Sequence, residues 1–539
     1  MLFRCVGQPV RIETRISRSL ASLAVLLGIT SAASADILRW DNSKVISGTQ
    51  GITLGPGVDL TTPTGGGRNL SFANLVATDL SAANFTGANL SHARFNALGG
   101  SGGVPPPSFL ANTNFTGANI SFANFGGIPI TSSQFGSTKS YTQHNLTGVG
   151  MQNQDMTGWD LSLQNLSKAD LHNATLTGAN LTGANIAGAN LGGSSILTPT
   201  QLYSTKSYQR HNLSGVGLSD EDLQGFDFQK QNLKGSNLSL ADLANANFTK
   251  ANIKGANFRM ADNFMPVQLY STGNYKSRNL SQVGFSGLDM SGWILDKQNV
   301  TSANFQNADL SGAHFTSANL TKANLNGARL AGAILTKANL TKTNLSDADL
   351  RGVGTFTPKK NTLTTNTIFP DGSIHGLSLG NGETLPIHNN ALPVTVFSSA
   401  LFNPGSDTHF LLEDHWTSPL GFALGVQPDI QGNLDLDIAP GQNPDALDGM
   451  TFQVFNWPGS VTPALGGLTA AAASAGTTAR FATITTDPSL DWDLANLYTD
   501  GTVTVHSIAS TTPPEACTLG LLSLGVMVLL KRRTRPIPG

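Results

Sequence analysis

The sequence predicts an all-β protein: a long solenoid of square coils, short helical excursions returning every 67 residues, and a β-rich domain behind it. Three observations predict it. Through most of the middle of the chain an apolar residue falls on every fifth position, a period that fits neither a helix at 3.6 residues nor a strand at 2. A longer repeat is laid over the short one: Gln134, Gln201 and Gln268 are evenly spaced, and their neighbourhoods match. Beyond Leu350 the short period stops, and apolar–polar alternation between Pro and Gly takes over.

Residues 1–35 read as a secretory signal peptide. Arg4, Arg11, Arg15 and Arg18 form a basic region, Leu20 to Ile29 an apolar one, and Ala33-Ser34-Ala35 a small-residue site with cleavage expected before Asp36. A membrane anchor is the competing reading, but a bilayer span needs about 20 apolar residues. Residues 36–67 form a lead-in. Cys5 lies in the signal peptide and Cys517 in the C-terminal tail, so the mature body is expected to hold neither disulfide nor thiol chemistry. Cys517 reads as a small residue rather than a lipidation site. Charged residues are 12% of the 539 and the net charge is −2. No cluster of Lys and Arg stands out along the body of the chain, so no nucleic-acid partner is expected.

The solenoid is expected over 68–356. From Leu280 to Leu350 every fifth residue is apolar, and from Ala303 to Ala348 alanine stands two residues before each, Thr343 alone excepted. The same step runs from Leu146 to Ile196 and from Leu213 to Phe258, with a looser version over Leu70 to Phe95 and Phe115 to Phe125. If each pentapeptide forms one side of a square, four of them close a coil. Leu and Phe then fill the interior, Ala fits where the wall bends inward, and Asn, Asp, Ser, Thr and Gly turn outward. Coils stack about 4.8 Å apart on backbone hydrogen bonds.

Ala179-Asn180-Leu181-Thr182-Gly183 and Ala308-Asp309-Leu310-Ser311-Gly312 carry the pattern of the pentapeptide-repeat family, which this part of the chain resembles. The resemblance implies a right-handed quadrilateral β-helix. The family includes cytoplasmic, strongly acidic proteins that mimic DNA and bind gyrase. Lys168, Lys250, Lys322, Lys337 and Lys342 on outward positions, together with the export signal, depart from them. Gyrase binding is therefore a distant alternative.

Modules start near 131, 198 and 265. Thr131 with Gln134, and Thr198 with Gln201, have capping-box spacing; the third copy has Met265 there, followed by Pro266 at a place suited to a first helical turn. Each module therefore reads as one or two helical turns leaving the coil. If about seven residues leave, the rest make three whole coils, and the modules line up on one side about 14 Å apart. If two leave, each module is rotated by one side. The capping boxes favour seven. Tyr141, Tyr208 and Tyr275 would then stand in a row, either filling a local packing defect or forming a candidate binding face. His144 and His211 align as well, but Arg278 in the third copy excludes a shared metal or catalytic role.

Residues 357–510 hold strand-like segments at Val394 to Phe397, Leu434 to Ile438, Thr451 to Phe455 and Thr502 to Val505. They predict an all-β domain or a wider β-helical continuation covering the open end of the solenoid, whose backbone edge would otherwise pair with another molecule. Asp435, Asp437, Asp445 and Asp448 offer oxygen donors for Ca2+ but lack the EF-hand spacing and read as surface aspartates. No metal or cofactor is expected.

In residues 511–539, Pro514-Glu515-Ala516 precedes an apolar run over 518–530 and then Lys531-Arg532-Arg533. This tail resembles the PEP-CTERM sorting signal, with alanine in place of the second proline. The resemblance implies an exosortase as processing partner and transient inner-membrane association through 518–530. It also implies delivery to the outer envelope, cell surface or extracellular matrix. The sequence shows no nucleophile elbow, metal-spaced His pair or phosphate loop, so no enzyme is expected. Two functions remain: an exported structural or adhesive surface protein, or a module binding an extracellular polymer or surface protein.

Overall fold

The computed structural model describes residues 36–76, 78–95, 110–194, 197–354, 356–413, 416–417, 419–423, 428–430, 433–439, 442–456, 484–494, 497 and 502–507. The expected signal peptide with Ala33 and Ala35, and the sorting tail with Pro514, Glu515, Ala516, Lys531, Arg532 and Arg533, lie outside the described residues.

One side of one coil shows how the rest is built. Leu310 O accepts from Ala313 N at 2.9 Å, closing a turn whose third residue, Gly312, has φ of 63°. That left-handed position favours Gly and tolerates Asn. Asp309 Oδ1 accepts from Ser311 N at 2.9 Å and holds the turn from outside. Asp309 pairs in parallel with Asp289 of the preceding coil and Arg329 of the next. Leu310 N donates to Arg329 O at 2.7 Å, and Asp309 N to Leu288 O at 2.9 Å, so every side contributes to an inter-coil ladder. Leu310 and Ala313 are fully buried. Down the axis the core residues stack, as where Phe285 meets Phe305 at 5.3 Å.

Partners 20 residues apart define four sides. The first carries asparagine in every coil from Asn145 to Asn339. Its amides hydrogen-bond along the axis, Asn185 Nδ2 to Asn165 Oδ1 at 2.9 Å and Asn252 Nδ2 to Asn232 Oδ1 at 2.9 Å. The third side, opposite the first, carries Asp222, Asp242, Asp262, Asp289 and Asp309.

The fourth side is replaced three times by a pair of short helices: α1 (Ser132–Gly136) with α2 (Lys139–Thr142), α3 (Pro199–Ser204) with α4 (Lys206–Gln209), and α5 (Pro266–Ser271) with α6 (Gly273–Lys276). Across the last two pairs, coil partners are Asn190 with Gly217 and Asn257 with Gly284, 27 residues apart. Two coils of 20 and one of 27 make the 67-residue repeat. The excursions therefore stand on one side, three coils and about 14 Å apart.

At the N-terminal end, Arg39 pairs antiparallel with Ala73, and Trp40 Nε1 donates to His92 O at 2.6 Å, which lays the lead-in against the first coils. At the other end the coil runs past the expected boundary at 356. Leu363 pairs with Asn344 and Ile368 with Asp349 in coils shortened to 19 residues, and the lost residue is why the period fades from the sequence.

Behind Ile368 the chain continues as a wider parallel β-helix, the second of the two forms expected. Its first coil is β1 (Ser373–Ile374), β2 (Leu377–Leu379) and β3 (Thr384–His388); its second is β4 (Val394–Val396), β5 (Ala400–Phe402) and β6 (Asp407–Leu412). The third is β7 (Leu420–Phe422), β8 (Pro428–Ile430) and β9 (Asn433–Ile438). Equivalent strands stack in parallel as three sheets, extended by β11 (Phe455–Asn456) beside β7 and β12 (Ile484–Thr486) beside β9. An antiparallel sheet of β10 (Thr451–Gln453), β14 (Thr502–Ser507) and β13 (Leu490–Asp493) completes the described part.

The two helices keep separate cores, one ending at Val353 and the other starting at Ile368. Arg351 joins them. Its guanidinium is fully buried, ion-paired with Asp349 at 2.6 Å, and donates to His388 O and Leu392 O, both at 2.8 Å.

Candidate functional site

The excursions are the most elaborate assemblies among the described residues. In α3, Thr198 Oγ1 accepts from Gln201 N and Gln201 Oε1 accepts from Thr198 N, a complete capping box. The other end of the same amide does more: Gln201 Nε2 donates to Leu176 O at 2.7 Å and Ala179 O at 3.0 Å of the coil below. Gln134 and Gln268 do the same in their copies. Met265 has no hydroxyl to complete the box, yet Gln268 Oε1 still accepts from its N–H at 2.6 Å. The glutamine thus bolts each helix pair to the solenoid. A second buried glutamine, Gln231, donates from Nε2 to Tyr208 O at 3.1 Å, and Gln164 and Gln298 repeat that bond.

The tyrosines have a defined task. With the fourth side replaced, the next coil loses its strand partner there. Tyr203 Oη accepts from Asp227 N at 2.6 Å, and Tyr208 Oη donates to Asp227 O at 2.7 Å, so two phenols satisfy the peptide groups on either side of one residue. Tyr270 and Tyr275 serve Ile294 in the same way. In the first copy Gly136 stands in place of the first tyrosine, and Tyr141 Oη alone donates, to Asp160 O at 2.7 Å. The paired rings lie 4.5 Å apart. Burial, with the carboxylate of Asp227 nearby, pushes the Tyr208 hydroxyl up to about 12. Burial raises Tyr141 and Tyr275 as well. Tyr141, Tyr208 and Tyr275 therefore stand in a row, half-buried, with their hydroxyls engaged by the protein itself. His144, His211 and Arg278 occupy one left-handed corner position after the second helix and are exposed.

In the C-terminal helix the structure groups Asp435 and Asp437 with His409, not with Asp448. His409 Nε2 lies 3.9 Å from Asp435 and 3.3 Å from Asp437, across the β6–β9 pairing. Burial, with Asp437 and Asp407 nearby, raises the Asp435 carboxyl against the opposing effect of His409. One imidazole and two carboxylates could hold a divalent transition metal better than Ca2+, which prefers oxygen alone. Asp448 instead lies 3.9 Å from His506. The sequence could not group His409 with this pair, because only strand stacking brings them together.

Lys and Arg do not cluster along the sequence, but the twenty-residue coil gathers them in space. Lys234 and Lys254, and Lys322 and Lys342, lie one coil apart on one edge of the asparagine side. The aspartates collect on the opposite side.

The model of the family "Pentapeptide repeats" matches in 8 copies, over residues 69–97, 145–183, 165–195, 222–259, 279–316 and 313–352. The solenoid is built of pentapeptide repeats. Proteins with pentapeptide repeats are generally structural or binding proteins, and no catalytic family is indicated. No curated protein matches the chain. Among solved structures 22 chains match. A pentapeptide repeat protein from the thylakoid lumen of Arabidopsis thaliana is 37% identical, covering 17% of this chain and 64% of its own, with a TM-score of 0.13. The chain thus spans less than two thirds of that relative. HetL, a pentapeptide repeat protein involved in heterocyst differentiation regulation from the cyanobacterium Nostoc, is 24% identical over 56% of this chain and 91% of its own, with a TM-score of 0.12. QnrB1, a plasmid-mediated fluoroquinolone resistance protein, is 14% identical over 58% and 89%, with a TM-score of 0.09. Superposition at these scores carries no functional argument.

Proposed function

We propose that this chain is an exported, non-catalytic structural or adhesive component of the outer envelope, cell surface or extracellular matrix, with the pentapeptide repeats as a rigid scaffold. The observation that carries the reading is the inward use of the polar machinery. The glutamine bolts and the tyrosine pairs around Asp227 and Ile294 hold coil to coil and leave few groups over for chemistry. Export rests on the two terminal segments, with an exosortase as processing partner. The test is to express the full chain, and a variant ending at Thr512, in a host with an exosortase, then fractionate and weigh the mature protein. The full chain should lose both ends and reach the envelope or medium, while the variant is missorted. A full chain found intact in the cytoplasm refutes the reading.

The aligned, half-buried rings of Tyr141, Tyr208 and Tyr275 favour a second reading, a face that binds a repetitive extracellular polymer or surface protein. Saturable binding lost on replacing all three tyrosines would support it. A DNA-mimicking, gyrase-binding role is the least favoured, since the carboxylates occupy one side and lysines edge the opposite one.

A further inference from the structure

A net charge of −2 conceals a cross-section with two poles. The asparagine side has two edges. Along one run Lys230, Lys250 and Lys297; along the other run Lys254, Lys322 and Lys342. Five of the six hold the left-handed third position of their turns, with φ between 58° and 61°, which places them at the corners of the square. Five are exposed and Lys254 is half-buried. None of the six has an ion-pair partner among the described residues. Directly across the solenoid lies the column Asp222, Asp242, Asp262, Asp289 and Asp309. Of these, only Asp309 is ion-paired, with Arg329 at 3.4 Å.

We propose that these two sides are the halves of one lateral contact, in which the lysine-edged asparagine side of one copy lies against the aspartate side of a second copy with axes parallel. Three features favour a second copy as the occupant. The charges are opposite, and both sides belong to the same chain. Both sides share the coil rise of about 4.8 Å, and Lys230 with Lys250, Lys322 with Lys342, and Asp222 with Asp242 and Asp262 stand one coil apart, so charges on the two sides keep a common spacing. Between excursions the ladders of the first and third sides run unbroken, as over Asn212, Asn232 and Asn252 and over Asp222, Asp242 and Asp262. Each exposed pair contributes little alone, and a row of them adds up while remaining sensitive to salt. Because the two patches differ, the contact is heterologous and does not close on itself, so copies add in open rows. The inference deepens the structural reading above, yet its test does not depend on export.

The test is sedimentation velocity of the purified full chain. At low ionic strength the mean mass should rise about twofold or more with concentration. It should fall back to the monomer near 1 M salt, where the screening length is about 3 Å. Lys254→Glu/Lys322→Glu/Lys342→Glu should be monomeric, and so should Asp222→Lys/Asp262→Lys/Asp289→Lys. Mixing the two variants should restore association, which also shows that both are folded. A wild-type chain that stays monomeric at low salt, or a mixture that does, overturns the proposal. So does a monomer that instead binds polyglutamate through the same lysines, which would assign the basic side to an acidic polymer.

Discussion

Glu221 is an acid in a place designed for something else. The equivalent position in the first module is Gln154, whose Nε2 donates to Phe125 O at 2.9 Å and Ile128 O at 2.6 Å. Glu221 has no such donor when ionised; one oxygen accepts from Ser194 N at 2.7 Å and Ser194 Oγ at 2.8 Å. Burial outweighs those bonds and, with Asp220 and Asp222 adjacent, pushes the carboxyl up to about 7 from an ordinary 4.5. The folded state therefore keeps a proton over a range where the unfolded chain has lost it. The contribution of Glu221 to stability is highest below about 4.5, falls as pH rises through about 7, and levels off above, by about 3 kcal/mol at most. Glu221→Gln removes the titration and supplies the amide that Gln154 uses. Hydrogen exchange of the amides from Leu202 to Asn212, with melting curves from acid to mildly alkaline pH, reads the effect. The variant should lose the downward slope and exceed the wild type above neutrality. Equal slopes in the two proteins, or a wild type that gains on the variant with rising pH, would refute the reasoning.

Gly148 and Gly158 are both left-handed, but a Cβ at Gly158 meets nothing, while one at Gly148 strikes the Phe122 ring. Gly158→Ala should cost about 1–2 kcal/mol in denaturant melts, Gly148→Ala clearly more, and Phe122→Ala should recover the difference. Gln201→Leu removes an acceptor for the helix start and two donors to the coil below. It should lower stability by about 2–4 kcal/mol, and melting within experimental error of wild type would dismiss the bolt. Arg351→Met leaves Asp349 buried without its partner and should cost about 3–5 kcal/mol, most of it regained when Asp349→Leu is added; a double variant no better than the single would show that the pair does not act through charge.

The square coil was legible because its rule is local and repeats without drift. Leu310 and Ala308 mean the same thing as Leu330 and Ala328 one coil later, so period alone identifies interior and wall. Helix starts were legible for a similar reason, since Thr198 and Gln201 are three residues apart. What the second end of Gln201 does was not, because Leu176 O and Ala179 O are backbone atoms with no side-chain signature. The same holds for Tyr203 and Tyr208, which grip the peptide groups of Asp227. In the C-terminal helix, strands such as β9 show in their alternation but their stacking does not. Thr384 pairs with Asp407, and Asp407 with Asn433, across intervals of different length, so no period survives to group His409 with Asp435. The two poles lay in plain view of anyone counting in twenties, and were invisible to net charge.

The 67-residue repeat amounts to three complete circuits, excursion included, and this has a consequence for how such a chain can change its length. Duplicating or deleting one such unit returns the backbone to the same corner of the square, with core, amide ladder and charged columns all still in phase. Recombination between neighbouring copies, whose Gln-Leu-Tyr-Ser stretches are identical at 201–204 and 268–271, would therefore yield a longer or shorter rod with nothing to repair at the seam. The gene can set the reach of the protein in steps of about 14 Å, as links are added to or taken from a chain.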